Sequence, residues 1–333
     1  MSKSQKILVT GGAGFIGSHL VDKLIKAGHT VTVIDDLSGG FKRNLNKNAK
    51  FINIDLRDAE TTANAIKKIK PEIVFHLAAN AAENKAQFSP IDITSRNWNT
   101  YINTLVPSIK YGMRRFIVTS SIAVYGALQT PFFETNKPEP EDLYGISKFA
   151  IEESLKVLSH VHEFEYVITR PHNVYGPRQN MSDPYRNVVT IFMNSLLKNE
   201  PYFIYGKGDQ RRCFSYIDEV VDALFNCGFY DVSGRIFNIG ADKDYSVKEL
   251  SDTIQQVAGI KIPPVNIADR PQEVKVAISD HKLSKKLLGY KDMTSLKDGI
   301  KATWQYAKAL GYQKPLYTEI EIDSPKLPGN WKK

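Results

Sequence analysis

A chain of 333 residues is longer than one compact core usually holds, so two lobes are expected, and 42% hydrophobic with 24% charged residues suits a globular α/β protein. The formal charge of +8 is spread along the chain with no block of five like charges; charge alone allows a nucleic-acid groove, but with no aromatic-interleaved basic stripe a solvated basic surface mildly attractive to an anionic metabolite is expected, and no nucleic-acid partner. Two cysteines, Cys213 and Cys227, exclude a disulfide framework and a cysteine-rich zinc site. No stretch approaches the ~20 apolar residues that span a bilayer, and no apolar signal region follows MSKSQK, so a cytoplasmic protein without a membrane partner is expected.

The first apolar run, Ile7-Leu8-Val9, reads as a buried strand. Gly11, Gly14 and Gly17 follow three apart, and Phe15, Ile16, Leu20, Val21, Leu24 and Ile25 continue at helical spacing. Strand, glycine turn and helix together suit a dinucleotide pyrophosphate, which needs backbone N–H groups at a helix N-terminus and no Cβ in its way. A second strand, Thr30 to Ile34, ends in Asp35 and Asp36. A carboxylate at that point accepts from adenosine ribose hydroxyls and repels a 2′-phosphate, so NAD is expected over NADP. A purely structural βαβ turn is the competing reading.

A third strand, Phe51 to Ile54, ends at Asp55-Leu56; a helix spans about Asp58 to Lys70; a fourth strand ends at Leu77-Ala78-Ala79. Both strand ends are expected to border the adenosine half of a cofactor, because ligands lie at the carboxyl ends of a doubly wound parallel sheet. A helix over about Ser95 to Tyr111 carries Pro107, which is expected to kink it. The strand Phe116 to Ser121 ends in hydroxyls, Tyr144 to about His160 is helical, and a strand at Tyr166–Thr169 closes on Arg170. After Gly176 the rhythm changes: a helix over Asn187–Asn199, a short strand at Tyr202–Tyr205, then helix and strand between about 216 and 240. That return implies a nucleotide-binding domain of 1–170 plus about 216–240, and a smaller α/β substrate domain of 171–215 and 241–333. The proline-rich last twenty residues either wrap the surface or are mobile.

Tyr144 and Lys148 lie four apart and so share a helix face. A phenol titrates near pH 10, and a neighbouring ammonium together with an oxidised nicotinamide favours the phenolate. Such a phenolate takes a proton from a sugar or alcohol hydroxyl as hydride leaves the same carbon. Ser121, at its strand end, is placed to hydrogen-bond the reacting oxygen. A surface Tyr/Lys pair and a turn serine are the ordinary alternatives; position after a nucleotide fingerprint favours the catalytic reading.

TGGAGFIGSHL, SSIAVYG, YGISK and RPHNVYGP together resemble the extended short-chain dehydrogenase/reductase family, in particular its UDP-sugar 4-epimerases, over Lys6 to about Leu310. The resemblance implies a Rossmann fold in which Gly11, Gly14, Phe15, Ile16, Gly17, Asp35, Asp36, Asp55, Leu56, Leu77, Ala78, Ala79 and Asn97 bind NAD. Ser121, Tyr144 and Lys148 match the catalytic serine, tyrosine and lysine, the last two also contacting NAD. Asn173, Arg212 and Arg270 match residues that hold the diphosphate and nearby sugar, and Glu273 a ribose-binding acid; Val188, Phe203 and Tyr205 belong to the nucleoside side of the substrate site. Ala277, four past Glu273, matches a gate whose small side chain admits an N-acetyl group at sugar C2. Relatives pair as homodimers through the helices that match 95–111 and 144–160.

Sister reactions at C5 use carboxylates or a cysteine where this chain has Ile122 and Ala123, so chemistry is expected to stay at C4. Ala81 in place of a common lysine, and Arg212-Cys213-Phe214 in place of RDF, depart from the pattern. The function expected is NAD-dependent 4-epimerisation of a UDP-hexose without a metal. UDP-glucuronate 4-epimerase and 4-ketosugar reductase or C4 dehydrogenase are the enzyme alternatives. A catalytically silent NAD-sensing module is the alternative of another class, and it predicts a broken Tyr/Lys pair.

Overall fold

The computed structural model describes residues 3–269 and 274–331. In chain order, β1 (Lys6–Thr10), α1 (Phe15–Lys26), β2 (Thr30–Ile34), β3 (Lys50–Ile52), α2 (Ala59–Ile69) and β4 (Ile73–His76) alternate as expected. A short α3 (Pro90–Thr94) runs through a π turn at Ser95–Asn99 into α4 (Thr100–Lys110), followed by β5 (Arg115–Thr119), α5 (Leu143–His162) and β6 (Glu165–Pro171). Beyond β6 come α6 (Val188–Leu197), β7 (Phe203–Tyr205), β8 (Arg211–Cys213), α7 (Ile217–Phe229), β9 (Arg235–Ile239) and β10 (Asp244–Ser246). Then follow α8 (Val247–Ala258), β11 (Val265–Ile267), β12 (Val276–Ala277), α9 (Lys282–Leu288) and α10 (Leu296–Leu310).

Seven strands form one parallel sheet in the order β3-β2-β1-β4-β5-β6-β9. The order reverses direction across β1 and β4, and that switch point opens a crevice at the carboxyl ends of the strands. The middles of the strands are largely apolar because both faces are covered. Ile7, Val9, Ile73 and Phe75 join the core under α1 and α7, while Leu8 and Val74 join the core under α4 and α5, the period of two expected of a strand. A third core gathers α6, α8 and α10 around Tyr175, Phe192, Tyr202 and Trp304. Its small sheets, β10-β8-β12 and β11-β7, face the large one across the cleft.

Three details differ from expectation, and a fourth decides between two expected outcomes. β3 stops at Ile52, so Asp55-Leu56 lies in the following loop and not at the strand's end. The helix expected from Ser95 is continuous with α3, and its irregularity is the π turn. Pro107 is buried within α4, three residues from its end. The segment after α10 wraps the surface, crossing the cleft to Trp331, which is buried.

Candidate active site

The glycine turn is packed too closely against neighbouring backbone to hold side chains at Gly11 and Gly17. A Cβ on Gly11, whose φ is +69°, would meet the Ala78 nitrogen at 2.8 Å, and one on Gly17 would meet the Gly11 carbonyl at 2.2 Å. Gly14 caps α1 with no side-chain hydrogen bond and no acidic residue in the first turn. The amides of Phe15, Ile16 and Gly17 therefore precede the Ser18 N–H bond to the Gly14 carbonyl at 3.1 Å and form an anion-binding helix terminus. Asp35 is held by the same turn: its carboxylate accepts from Ala13 N–H at 3.0 Å and Leu37 N–H at 2.8 Å. Burial raises its pKa, opposed by those donors. Asp36 is engaged by Arg96 at 3.0 Å.

A cavity of about 690 Å³ runs from this turn past Asp35, Leu56 and Leu77-Ala78-Ala79 to Thr119, Ser121, Tyr144 and Lys148. Phe15, Ile16, Asp36 and Asp55 also line it, although Asp55 is gripped by Arg57, 2.9 and 2.6 Å from one carboxylate oxygen. The bare glycine cradle, the free helix amides and the carboxylate at the end of β2 fit the pyrophosphate and ribose of NAD. Asn97 departs from its expected place. It is buried behind the wall, accepting from Asn80 N–H at 2.9 Å and donating to Ser147 at 3.1 Å, and so positions the Asn80 loop.

At the inner end, Asp142 caps α5 by accepting from Gly145 N–H at 2.9 Å, which puts Tyr144 in the helix's first turn. That terminus favours an anion, hence a phenolate. Ser121 accepts from Ala123 N–H at 3.1 Å, and its hydroxyl lies near that of Tyr144, where it favours the ionised form. Lys148 lies 5.8 Å from the Tyr144 ring centre and donates to the Thr119 carbonyl at 2.8 Å. Burial pushes Lys148 down to about 8, with Glu152 opposing. Burial raises the pKa of Tyr144 above 10.0, with Ser121 and Arg186 opposing.

A second cavity of about 530 Å³ joins the first along Ser121, Asn173 and Val174. Val188, Phe203, Tyr205, Arg212 and Ala277 line it as expected, Ala277 standing opposite Arg212 in the β12–β8 register. Arg270 and Glu273 lie outside the described residues. Ile122 and Ala123 present only apolar side chains beside Ser121.

Sequence reading missed what stands behind these residues. Glu152, buried on the Tyr144–Lys148 face of α5, accepts from Arg170 Nε at 2.9 Å and Nη2 at 2.5 Å and from Ser120 at 2.5 Å. Arg170 also donates to the Tyr125 hydroxyl at 2.7 Å, which donates to Asn238 at 2.8 Å. The four-residue spacing from Lys148 to Glu152 was the available signal. Lys85, Tyr185 and tail residues Leu316 and Thr318 also line the cofactor cavity, and no motif pointed to them. Among the described residues no group of three metal-ligating side chains occurs and no helix is long and apolar enough to cross a membrane.

A doubly wound sheet whose glycine-lined crevice runs into a buried tyrosine, lysine and serine, and from there into a second cavity, defines a dinucleotide-dependent enzyme of small-molecule redox chemistry. Residues 7–240 match the NAD dependent epimerase/dehydratase family, and the chain belongs to it. A putative UDP-glucose 4-epimerase of Methanocaldococcus jannaschii is 37% identical, over 91% of this chain and 98% of that protein. The crystal structure of the Thermotoga maritima UDP-glucose 4-epimerase with UDP-glucose superposes with a TM-score of 0.88 at 36% identity, over 91% of this chain and 99% of that one. A UDP-N-acetyl-alpha-D-glucosaminuronate decarboxylase of Bacillus cytotoxicus is 32% identical over 76% of this chain and 80% of that protein. The protein is thus an NAD-dependent enzyme of the UDP-sugar epimerase and decarboxylase group.

Proposed function

We propose that the protein is a UDP-hexose 4-epimerase. The observation that carries this reading is the Ser121–Tyr144–Lys148 set at the junction of the two cavities, beside a wall that offers no ionisable side chain at Ile122 or Ala123. Tyr144 takes the proton of the sugar 4-hydroxyl, Ser121 holds the reacting oxygen, and Lys148 with the α5 terminus supports the phenolate. Bound NAD supplies a hydride acceptor and donor and a positive charge that favours the phenolate. Asn173 and Arg212 bind the diphosphate, an arginine fork suiting phosphate geometry, while Phe203, Tyr205 and Val188 contact the nucleoside. Inverting C4 requires the ketosugar to present its other face, and the second cavity provides the space for that turn.

A decarboxylase would share the C4 oxidation and then lose the C6 carboxylate as carbon dioxide. The higher identity to the epimerase relative, 37% to the methanogen protein against 32% to the Bacillus decarboxylase, supports epimerisation. The test is a panel of UDP-sugars incubated without added NAD and followed by NMR. C4-inverted hexoses support the reading; carbon dioxide and a UDP-pentose from a uronate, or turnover only with external cofactor, overturn it.

A further inference from the structure

The segment beyond α10 lies past the region of family resemblance, which runs from Lys6 to about Leu310. It nevertheless enters the active-site wall. Pro315, Tyr317 and Trp331 line the second cavity, and Leu316 and Thr318 line the cofactor cavity, so the segment lies along their junction.

Its attachments run to both banks of the cleft. On one bank, Gln313 exchanges hydrogen bonds with Asn194 at 2.9 and 2.7 Å, Leu316 N–H donates to the Ser182 carbonyl at 2.7 Å, and Thr318 N–H donates to the Tyr185 hydroxyl at 3.1 Å. On the other, buried Lys85 donates to the Thr318 hydroxyl at 2.6 Å, and Glu321 accepts from Ile91 and Asp92 N–H at 2.7 and 2.8 Å. Trp331 completes the crossing, its ring edge-on to Tyr185 at 5.1 Å and to Phe88 at 6.3 Å. Trp331 and Leu327 belong to the same apolar cluster as Tyr144. Backbone bonds, a buried cation and a buried indole together exceed what an incidental surface tail makes.

We propose that residues 313–331 are a strap that ties the two banks together over the point where sugar meets nicotinamide, and that its work is to retain the oxidised sugar and the cofactor until hydride is returned. The proposal rests on the epimerase reading. Oxidation breaks the C4–H and O4–H bonds: the hydride passes to the cofactor, the proton to Tyr144, and C4 becomes a carbonyl. Until both are returned the ketosugar is held only by binding, so a wall across its exit decides whether it escapes.

The test compares the full chain with a variant ending at Lys314 and with Trp331→Ala and Glu321→Ala. Two quantities are read: exchange of bound NAD for labelled NAD, and the 4-ketosugar trapped by borodeuteride per turnover. Roughly tenfold or greater increases of both in the shortened chain, with smaller rises in the point variants, are expected. A folded shortened chain with unchanged exchange and trapping overturns the proposal. If shortening unfolds the protein, the two point variants decide by the same readings. If the full chain epimerises no UDP-sugar, the epimerase reading fails, and NAD exchange alone judges the strap.

Discussion

Tyr144 carries two opposed demands. In the proposed mechanism it loses a proton, yet burial raises its pKa above the free phenol value of 10.0. Lys148, held on the Thr119 carbonyl and pushed down to about 8, is a weakened cation. In the proposed mechanism the positive charge of the oxidised cofactor would favour the phenolate. Tyr144→Phe keeps the ring in its apolar cluster and removes the oxygen; turnover falls by ~10²–10⁴-fold while NAD content and thermal midpoint hold, read by coupled assay and calorimetry. Near-normal turnover would end the assignment. Ala277, 5% exposed on the cavity wall, leaves space that a larger side chain would fill. Ala277→Tyr is expected to reduce turnover of UDP-GlcNAc far more than of UDP-galactose; an equal loss on both refutes a gate at this position. Ala277 came only from the family resemblance, whereas the Tyr144–Lys148 pair was legible because helical spacing is local. Asn97 was not: its place behind the wall depends on Asn80 and Ser147, 17 and 50 residues away.

Elements were read most accurately where two periodicities met. The middles of the parallel strands are largely apolar because helices cover both faces, and β9 returns to the sheet as expected because its helix precedes it in the same rhythm. The ends of elements were less legible, since β3 stops where its partner strand stops pairing at Ile34. The element the catalytic pair most depends on, α5, is fixed to the sheet by Glu152 and Arg170, whose side chains are 0% and 1% exposed. No local pattern announces that pairing, because Arg170 reaches α5 from a different strand. Removing one partner leaves an uncompensated buried charge. Arg170→Met is expected to destabilise by ~3–5 kcal/mol in urea unfolding, and Arg170→Met with Glu152→Met to recover much of that loss. A single variant within ~0.5 kcal/mol of the parent would show that the network is slack.

Across the whole molecule, burial sets the response to acid. His172, held against Ser279 and facing His281 and Arg212, is lowered well below 6.5, and His76 is lowered to about 3, desolvation being the first cause in each. Both folded values lie below the unfolded one, so the unfolded chain gains protons first as pH falls through 6.5. Stability is then full above 6.5 and lost below it, at about 1.4 kcal/mol per pH unit for each such histidine. Asp35, Glu134 and Asp142, raised by burial from 3.8, 4.5 and 3.8, act in the opposite sense from lower pH. Just below 6.5 the histidines dominate, and the urea midpoint is expected to fall between pH 7.5 and 6.0. An unchanged or higher midpoint at pH 6.0 would contradict this.

Oligomeric state is the remaining property of the whole molecule, and it follows from what α4 and α5 leave uncovered. Their inner faces are used: Tyr101 and Leu105 of the first helix and Ile151 and Leu155 of the second are fully buried in one core. Their outer faces keep apolar side chains in water, with Val106 at 53% exposure and Val157 and Val161 at 62% each. Val157 and Val161 are four apart and so form one stripe. An apolar stripe opposite a buried face is the pattern of a helix that packs twice. The occupant expected is a second copy, the two pairs of helices forming a four-helix bundle as the family resemblance implies. Pro107, buried on the inner side of α4, does not interrupt that surface. Light scattering at micromolar concentration should give twice the chain mass, and Val157→Asp with Val161→Asp should give the monomer with NAD still bound. A parent protein that scatters as a monomer, or a double variant that remains dimeric, would place the contact elsewhere.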